Sequence, residues 1–116
     1  MKGYIYKLYN NDGYFYYGCT NNVQRRFNQH VTCAKKKYTF NKKYHTYLYK
    51  MMRYHTIDSF KIQIIFEFEF DIIDDDDIKL YKKLLYKIES VYLSKIRNDP
   101  YTLNTACVNK KRYYTI

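Results

Sequence analysis

Tyr16-Tyr17-Gly18-Cys19-Thr20-Asn21-Asn22-Val23-Gln24-Arg25-Arg26-Phe27-Asn28-Gln29-His30 is the stretch on which the fold turns, because it runs from a strand pattern into a helix pattern without a break. Its first residues close an aromatic run over 14–19 of high strand propensity. A matching run over 3–9 precedes it, and Asn10-Asn11-Asp12-Gly13 between them tolerates positive φ, so the spacing predicts a β-hairpin. Asn21 stands three residues before Gln24 as a helix N-cap, and Val23, Phe27, His30 and Ala34 recur at helical spacing. A first helix is expected over 22–36. On it Arg26 and His30, four apart, share a face, and Arg25 is turned about 100° away.

Working outward, the lysine-rich segment 35–43 has no period and reads as an exposed loop. Leu48, Met51, Met52 and His55 suggest a second helix over 44–55. Over 60–70, Lys61, Gln63, Glu67 and Glu69 alternate with apolar residues, the pattern of a half-buried strand. Five aspartates over 71–77 then precede Tyr81, Leu84, Leu85, Ile88 and Tyr92 at helical spacing. Carboxylates near a helix start cap free N–H groups and oppose the macrodipole, so the acidic run reads as the beginning of a third helix. Asn98-Asp99-Pro100 ends it. The fold class expected is α+β, a small three-stranded antiparallel sheet made of the opening hairpin and one later strand, flanked by about three helices in a single domain over 1–116.

The chain has 116 residues with 21 Lys and Arg against 11 Asp and Glu, a net charge of +10. That balance on so small a body favours a polyanionic partner, nucleic acid first. No apolar run reaches the roughly 18–20 residues that a membrane helix needs, and residues 1–6 lack the apolar core of a secretory signal, so an intracellular protein is expected. Cys19, Cys33 and Cys107 are too scattered for a zinc site and read as reduced thiols. With 17 Tyr in the chain, no single tyrosine carries a functional argument.

Order and spacing carry more. Tyr4-Ile5-Tyr6 and Tyr16-Tyr17-Gly18, with Tyr6 and Tyr16 ten apart, followed by Arg26, His30, Glu89 in Lys87-Ile88-Glu89-Ser90, and Asn104 in Leu103-Asn104-Thr105-Ala106, resemble the GIY-YIG nucleases over nearly the whole chain. Two departures stand out. The first motif's glycine is displaced to Gly3, with Tyr4 in its place, and the middle residue of the second motif is Tyr17 rather than an aliphatic. The resemblance implies a metal-dependent endonuclease that hydrolyses DNA phosphodiester bonds by a one-metal mechanism. Tyr6, Tyr16, Arg26, His30 and Glu89 would be its catalytic residues, Glu89 holding Mg²⁺ or Mn²⁺, with Asn104 near the nucleic acid.

Chemistry agrees at several of these positions. A guanidinium at Arg26 can hold two phosphate oxygens at once. A carboxylate at Glu89, on the margin of an apolar stripe, is a hard ligand suited to Mg²⁺. A phenol at Tyr6 needs a nearby cation to act as a base. If Tyr9 faces Gly13, Tyr6 and Tyr16 lie directly opposite, but the turn type leaves the register open. Arg25, Lys35, Lys36, Lys37, Lys42, Lys43 and His45 are expected to position DNA, double-stranded or branched, through its phosphates. A protein partner or homodimer would supply sequence specificity. The rival reading is a non-catalytic basic module that grips nucleic acid by stacking.

Overall fold

The computed structural model of the chain describes residues 1–104. Thr105, Ala106 and Cys107, singled out above, lie outside the described residues. Strands β1 (Lys2–Tyr9) and β2 (Phe15–Thr20) form the hairpin, α1 (Val23–Ala34) and α2 (Tyr47–Tyr54) follow, then β3 (Lys61–Glu69) and α3 (Asp75–Lys95). The sheet is antiparallel in the order β2-β1-β3, so the chain's first strand becomes its centre. The α+β class, the three-stranded sheet and the three helices are as the sequence predicts.

β1 is buried on both faces, which explains its nearly continuous apolar run. Tyr6 and Leu8 point to the side of α1 and α2, where they pack with Ala34, Leu48, Met52, Phe60 and Leu103. Ile5 points the other way, to Tyr81 and Leu85 of α3. Gly3 lies on the α3 face too, and a Cβ there would come within 2.4 Å of the Phe68 ring and 3.2 Å of Leu85. The displaced glycine of the first motif therefore seats α3 against the sheet.

Two local expectations shift. The helix cap is Asn22, whose Oδ1 accepts the Arg25 N–H at 3.0 Å, while Asn21 binds the Arg25 guanidinium at 2.8 Å. The pairing of β3 carries a bulge: Ile5 faces Phe66 but Tyr6 faces Ile64, leaving extra the Ile65 that interrupts the alternation. The bulge exchanges the faces, so Ile62 packs with Leu8 whereas Phe68 packs toward α3. The acidic run does cap α3, with Asp74 and Asp77 forming a reciprocal capping box. Of the expected stripe on α3, Tyr81 and Leu85 are buried, Ile88 and Tyr92 are half-buried, and Leu84 at its margin is exposed.

The outer edge of β2 is covered by residues 101–104. Phe15 and Thr102 form a parallel bridge, and beyond it the Asn104 side chain continues the pairing. The Tyr17 N–H donates to Asn104 Oδ1 at 2.9 Å, and Asn104 Nδ2 donates to the Tyr17 carbonyl at 2.7 Å. Asn104 is buried, so its amide holds a strand edge and does not face nucleic acid, a correction to the sequence expectation. Asn104→Ala strands two buried backbone groups and should cost about 1–3 kcal/mol, read as a drop in melting temperature of roughly 5–15 °C. An unchanged melting temperature would rule this role out.

Candidate active site

β1 and β2 set the floor of a cleft whose far wall is α1. The hairpin register places Tyr9 opposite Phe15, so Tyr6 faces Gly18 and Tyr16 faces Leu8. The two tyrosines are thus diagonal neighbours on one face rather than directly opposite, with ring centroids 6.3 Å apart. Gly18 is what allows this. The Tyr6 ring leans across it so closely that a Cβ at Gly18 would lie 2.3 Å from the phenol oxygen.

His30 descends from α1 onto the pair and is completely buried. Its Nε2 is 2.7 Å from the Tyr6 hydroxyl, and its Nδ1 is 3.1 Å from the Tyr49 hydroxyl of α2. Each ring nitrogen has one phenol, so a neutral imidazole accepts from one and donates to the other. Burial, and then the Arg26 charge, lower the His30 pKa to about 3. Burial raises the Tyr6 phenol well above its ordinary range, Tyr16 adds to the shift, and Arg26 opposes it. Tyr16 is raised by burial as well, again against Arg26 and with help from Glu89. The free site therefore holds neutral phenols and a neutral imidazole.

Arg26, one turn before His30, is half-buried and near enough to Tyr6 and Tyr16 for its charge to act on both phenols. Burial works against its charge, but those phenols and Tyr49 more than offset it, and its pKa is raised. Gln29 steadies it with an acceptor at 3.2 Å. The space in front is a cleft of about 240 Å³ lined by Tyr16, Arg26, His30, Lys43, Tyr49 and neighbouring apolar groups.

Glu89 approaches from the opposite layer, on α3, at the margin of β2. It is half-buried and, among the described residues, has no Lys or Arg at ion-pair distance. Its carboxylate lies beside Cys19, whose thiol burial and then Glu89 push up to about 12, and it is felt at Tyr16. No group of three or more His, Cys, Asp or Glu converges among the described residues. A half-buried carboxylate without a cationic partner, close enough to be felt at Tyr16, suits a hard cation that keeps most of its waters.

The remaining sequence-predicted residues separate. Lys43 lines the cleft, whereas Arg25, Lys35, Lys36, Lys37 and Lys42 are exposed and do not line it. His45 is not free to contact phosphate, because its Nε2 donates to the Thr39 carbonyl and its Nδ1 accepts from Arg53 at 3.2 Å. Tyr49 was not visible in the sequence, where nothing distinguishes it from the apolar face of α2. Between Gly13 and Ile57, the segment that supplies most of the cleft lining, the chain carries nine Lys and Arg and no Asp or Glu.

Because His30 stays neutral in the fold down to about pH 3 while an unfolded His takes a proton near 6.5, the unfolded chain binds more protons between these values. His30 thus contributes a pH dependence in which stability falls as the medium is acidified from about 6.5 toward 3. Urea denaturation of wild type and His30→Gln across this window should show the steeper acid loss in wild type. Parallel curves would contradict it.

The fold is thus a small α+β domain with a tyrosine-floored cleft that holds Arg26, His30 and Lys43, and with Glu89 on the helix across the sheet. The model of the GIY-YIG catalytic domain matches residues 2–101, and the chain belongs to that family, a family of nucleases that act on DNA and generally use divalent metals. Among curated relatives, a UPF0213 protein of Limosilactobacillus reuteri (strain DSM 20016) is 57% identical over 44 residues, which make up 38% of this chain and 46% of that protein. The match therefore spans about half the length of that relative. No solved structure matches the chain significantly. Among the described residues no helix is long and apolar enough to cross a membrane.

Proposed function

We propose that this chain is a metal-dependent endodeoxyribonuclease that hydrolyses one phosphodiester bond at a time in the cleft between β2 and α1. The observation that carries this reading is the buried 2.7 Å contact between Tyr6 and His30 under the Arg26 guanidinium. A stacking module has no use for a buried phenol–imidazole pair beneath a cation. Arg26 binds the scissile phosphate and stabilises the charge that builds on it. Tyr6 positions the attacking water and accepts its proton as its own phenol proton passes to His30 Nε2. Tyr49 holds Nδ1 and fixes the tautomer that leaves Nε2 free to accept. Tyr16 supports Tyr6 through ring contact, and Lys43 orients the neighbouring phosphate.

A bound phosphate would also ease this relay. Part of the reason His30 is so weak a base in the free protein is the Arg26 charge, and an anion seated on Arg26 neutralises it. Glu89 would hold Mg²⁺ or Mn²⁺, which when bound supplies charge neutralisation at the phosphate and the leaving oxygen. Glu89→Gln should abolish Mg²⁺-dependent nicking of supercoiled DNA while its salt-sensitive DNA binding in EDTA stays within about twofold of wild type. Equal nicking by the two proteins would exclude Glu89 as the metal ligand, and none by either would favour the non-catalytic module.

A further inference from the structure

We propose that the 35–43 loop is an aromatic wedge that stacks on unpaired bases, so that the DNA favoured by this site is flapped, gapped or branched rather than fully paired. The inference rests on the nuclease reading for the chemistry but not for the binding. Phe40 is 100% exposed and Tyr38 is 87% exposed, on a loop that leaves the C-terminal end of α1. Two large rings presented to water two positions apart are unusual where a core is close at hand.

The loop is built to hold them there. The Thr39 hydroxyl accepts the Asn41 N–H at 3.3 Å, and Asn41 Oδ1 accepts the Lys43 N–H at 3.1 Å. His45 binds the Thr39 carbonyl, and Arg53 of α2 braces that imidazole while donating to the carbonyls of Ala34 at 3.0 Å and Tyr44 at 2.9 Å. The backbone is thus tied on both sides of the two rings, and neither ring takes part. His45, expected from the sequence to touch phosphate, is one of the struts.

Charge selects the occupant. Lys35, Lys36, Lys37, Lys42 and Lys43 flank the two rings in the chain, and no carboxylate occurs from Gly13 to Ile57. Tyr44 carries the ammonium groups of Lys36 and Lys43 4.9 Å from its ring centre, and Lys37 lies 5.0 Å from that of Tyr38. Lys43 also lines the cleft beside Arg26 and His30, so a strand with one phosphate in the cleft has its next nucleotides at the loop. Stacking on an aromatic ring needs a free base face and tolerates any sequence. A paired duplex offers such a face only after a base step is pulled apart, which works against its binding.

The test compares two DNAs of equal length and charge in EDTA, one fully paired and one with a single-stranded flap carrying 2-aminopurine. Wild type should bind the flap about tenfold more tightly and quench its fluorescence. In Tyr38→Ala/Phe40→Ala the ratio of affinities should fall to about one and the quenching should be lost. Equal affinities in wild type, or a ratio and quenching that the double substitution leaves in place, would overturn the proposal. Hydrolysis plays no part in this readout, so quenching by a protein that never nicks DNA supports the wedge and sinks only the nuclease reading.

Discussion

Arg26→Ala is expected to slow DNA nicking by about 10²–10³-fold while weakening DNA binding only slightly. The asymmetry follows from position. Most of the 21 Lys and Arg that attract DNA lie outside the cleft, and losing one charge among them matters little. Arg26 alone reaches both site phenols and neighbours His30 on the same helix face. It answers charge that appears only as the phosphate is attacked, so its loss falls on the rate. Arg26→Lys should recover little, because an ammonium on a flexible stem cannot span two phenols and two phosphate oxygens at once. The substitution also carries a second signature. With the guanidinium gone, the His30 pKa should rise from about 3, staying below the ordinary value because burial is the larger cause. Titration of the imidazole by NMR measures this directly. A nicking rate within a few-fold of wild type would exclude the assigned role.

Gly18→Ala should be nearly as damaging, for a purely steric reason. The new methyl would stand 2.3 Å from the Tyr6 phenol oxygen and 2.4 Å from Cζ, distances that no Cβ tolerates. Tyr6 is buried and bonded to His30, so the ring must tilt and carry its hydroxyl off the imidazole. Overpacking of this kind costs about 1–3 kcal/mol, and displacing a reacting group by an ångström costs about a hundredfold in rate. Gly3→Ala provides the contrast. Its methyl would meet Phe68 and Leu85 on the far face of the sheet, so it should lower stability by a similar amount and spare most of the activity. Should the two substitutions lose stability and activity in the same proportions, Gly18 has no special relation to Tyr6.

These contrasts show where the sequence was legible. The hairpin, the order of helices and the third strand follow from local periodicity and turn chemistry, which need no long-range information. Arg26 and His30 share a helix face by arithmetic alone, and the structure brings both to the tyrosine floor. What failed to show were facts of register and reach. A five-residue connection, in which Asn10 Oδ1 accepts from Asp12 and Tyr14, moves the hairpin pairing by two residues and makes Tyr6 the partner of Gly18. The bulge falls at Ile65, an apolar residue at a polar place in the alternation, and no local turn signal says that it is the extra residue. Tyr49 gains its place beside His30 only through the packing of α2 on α1. Asn104 and His45 look like ligands for phosphate in a string of letters, but the fold engages both with its own backbone.

The central claim is that Tyr6, His30 and Arg26 form a hydrolytic site completed by Glu89. Single-turnover nicking of supercoiled plasmid in Mg²⁺ by wild type, Arg26→Ala and Glu89→Ala, at matched concentrations and low salt, tests it most directly. Conversion to nicked circles by wild type, with both variants slower by about a hundredfold or more and all three still binding the plasmid, is the predicted result. Three proteins that nick alike, or a wild type that binds without nicking, would contradict it.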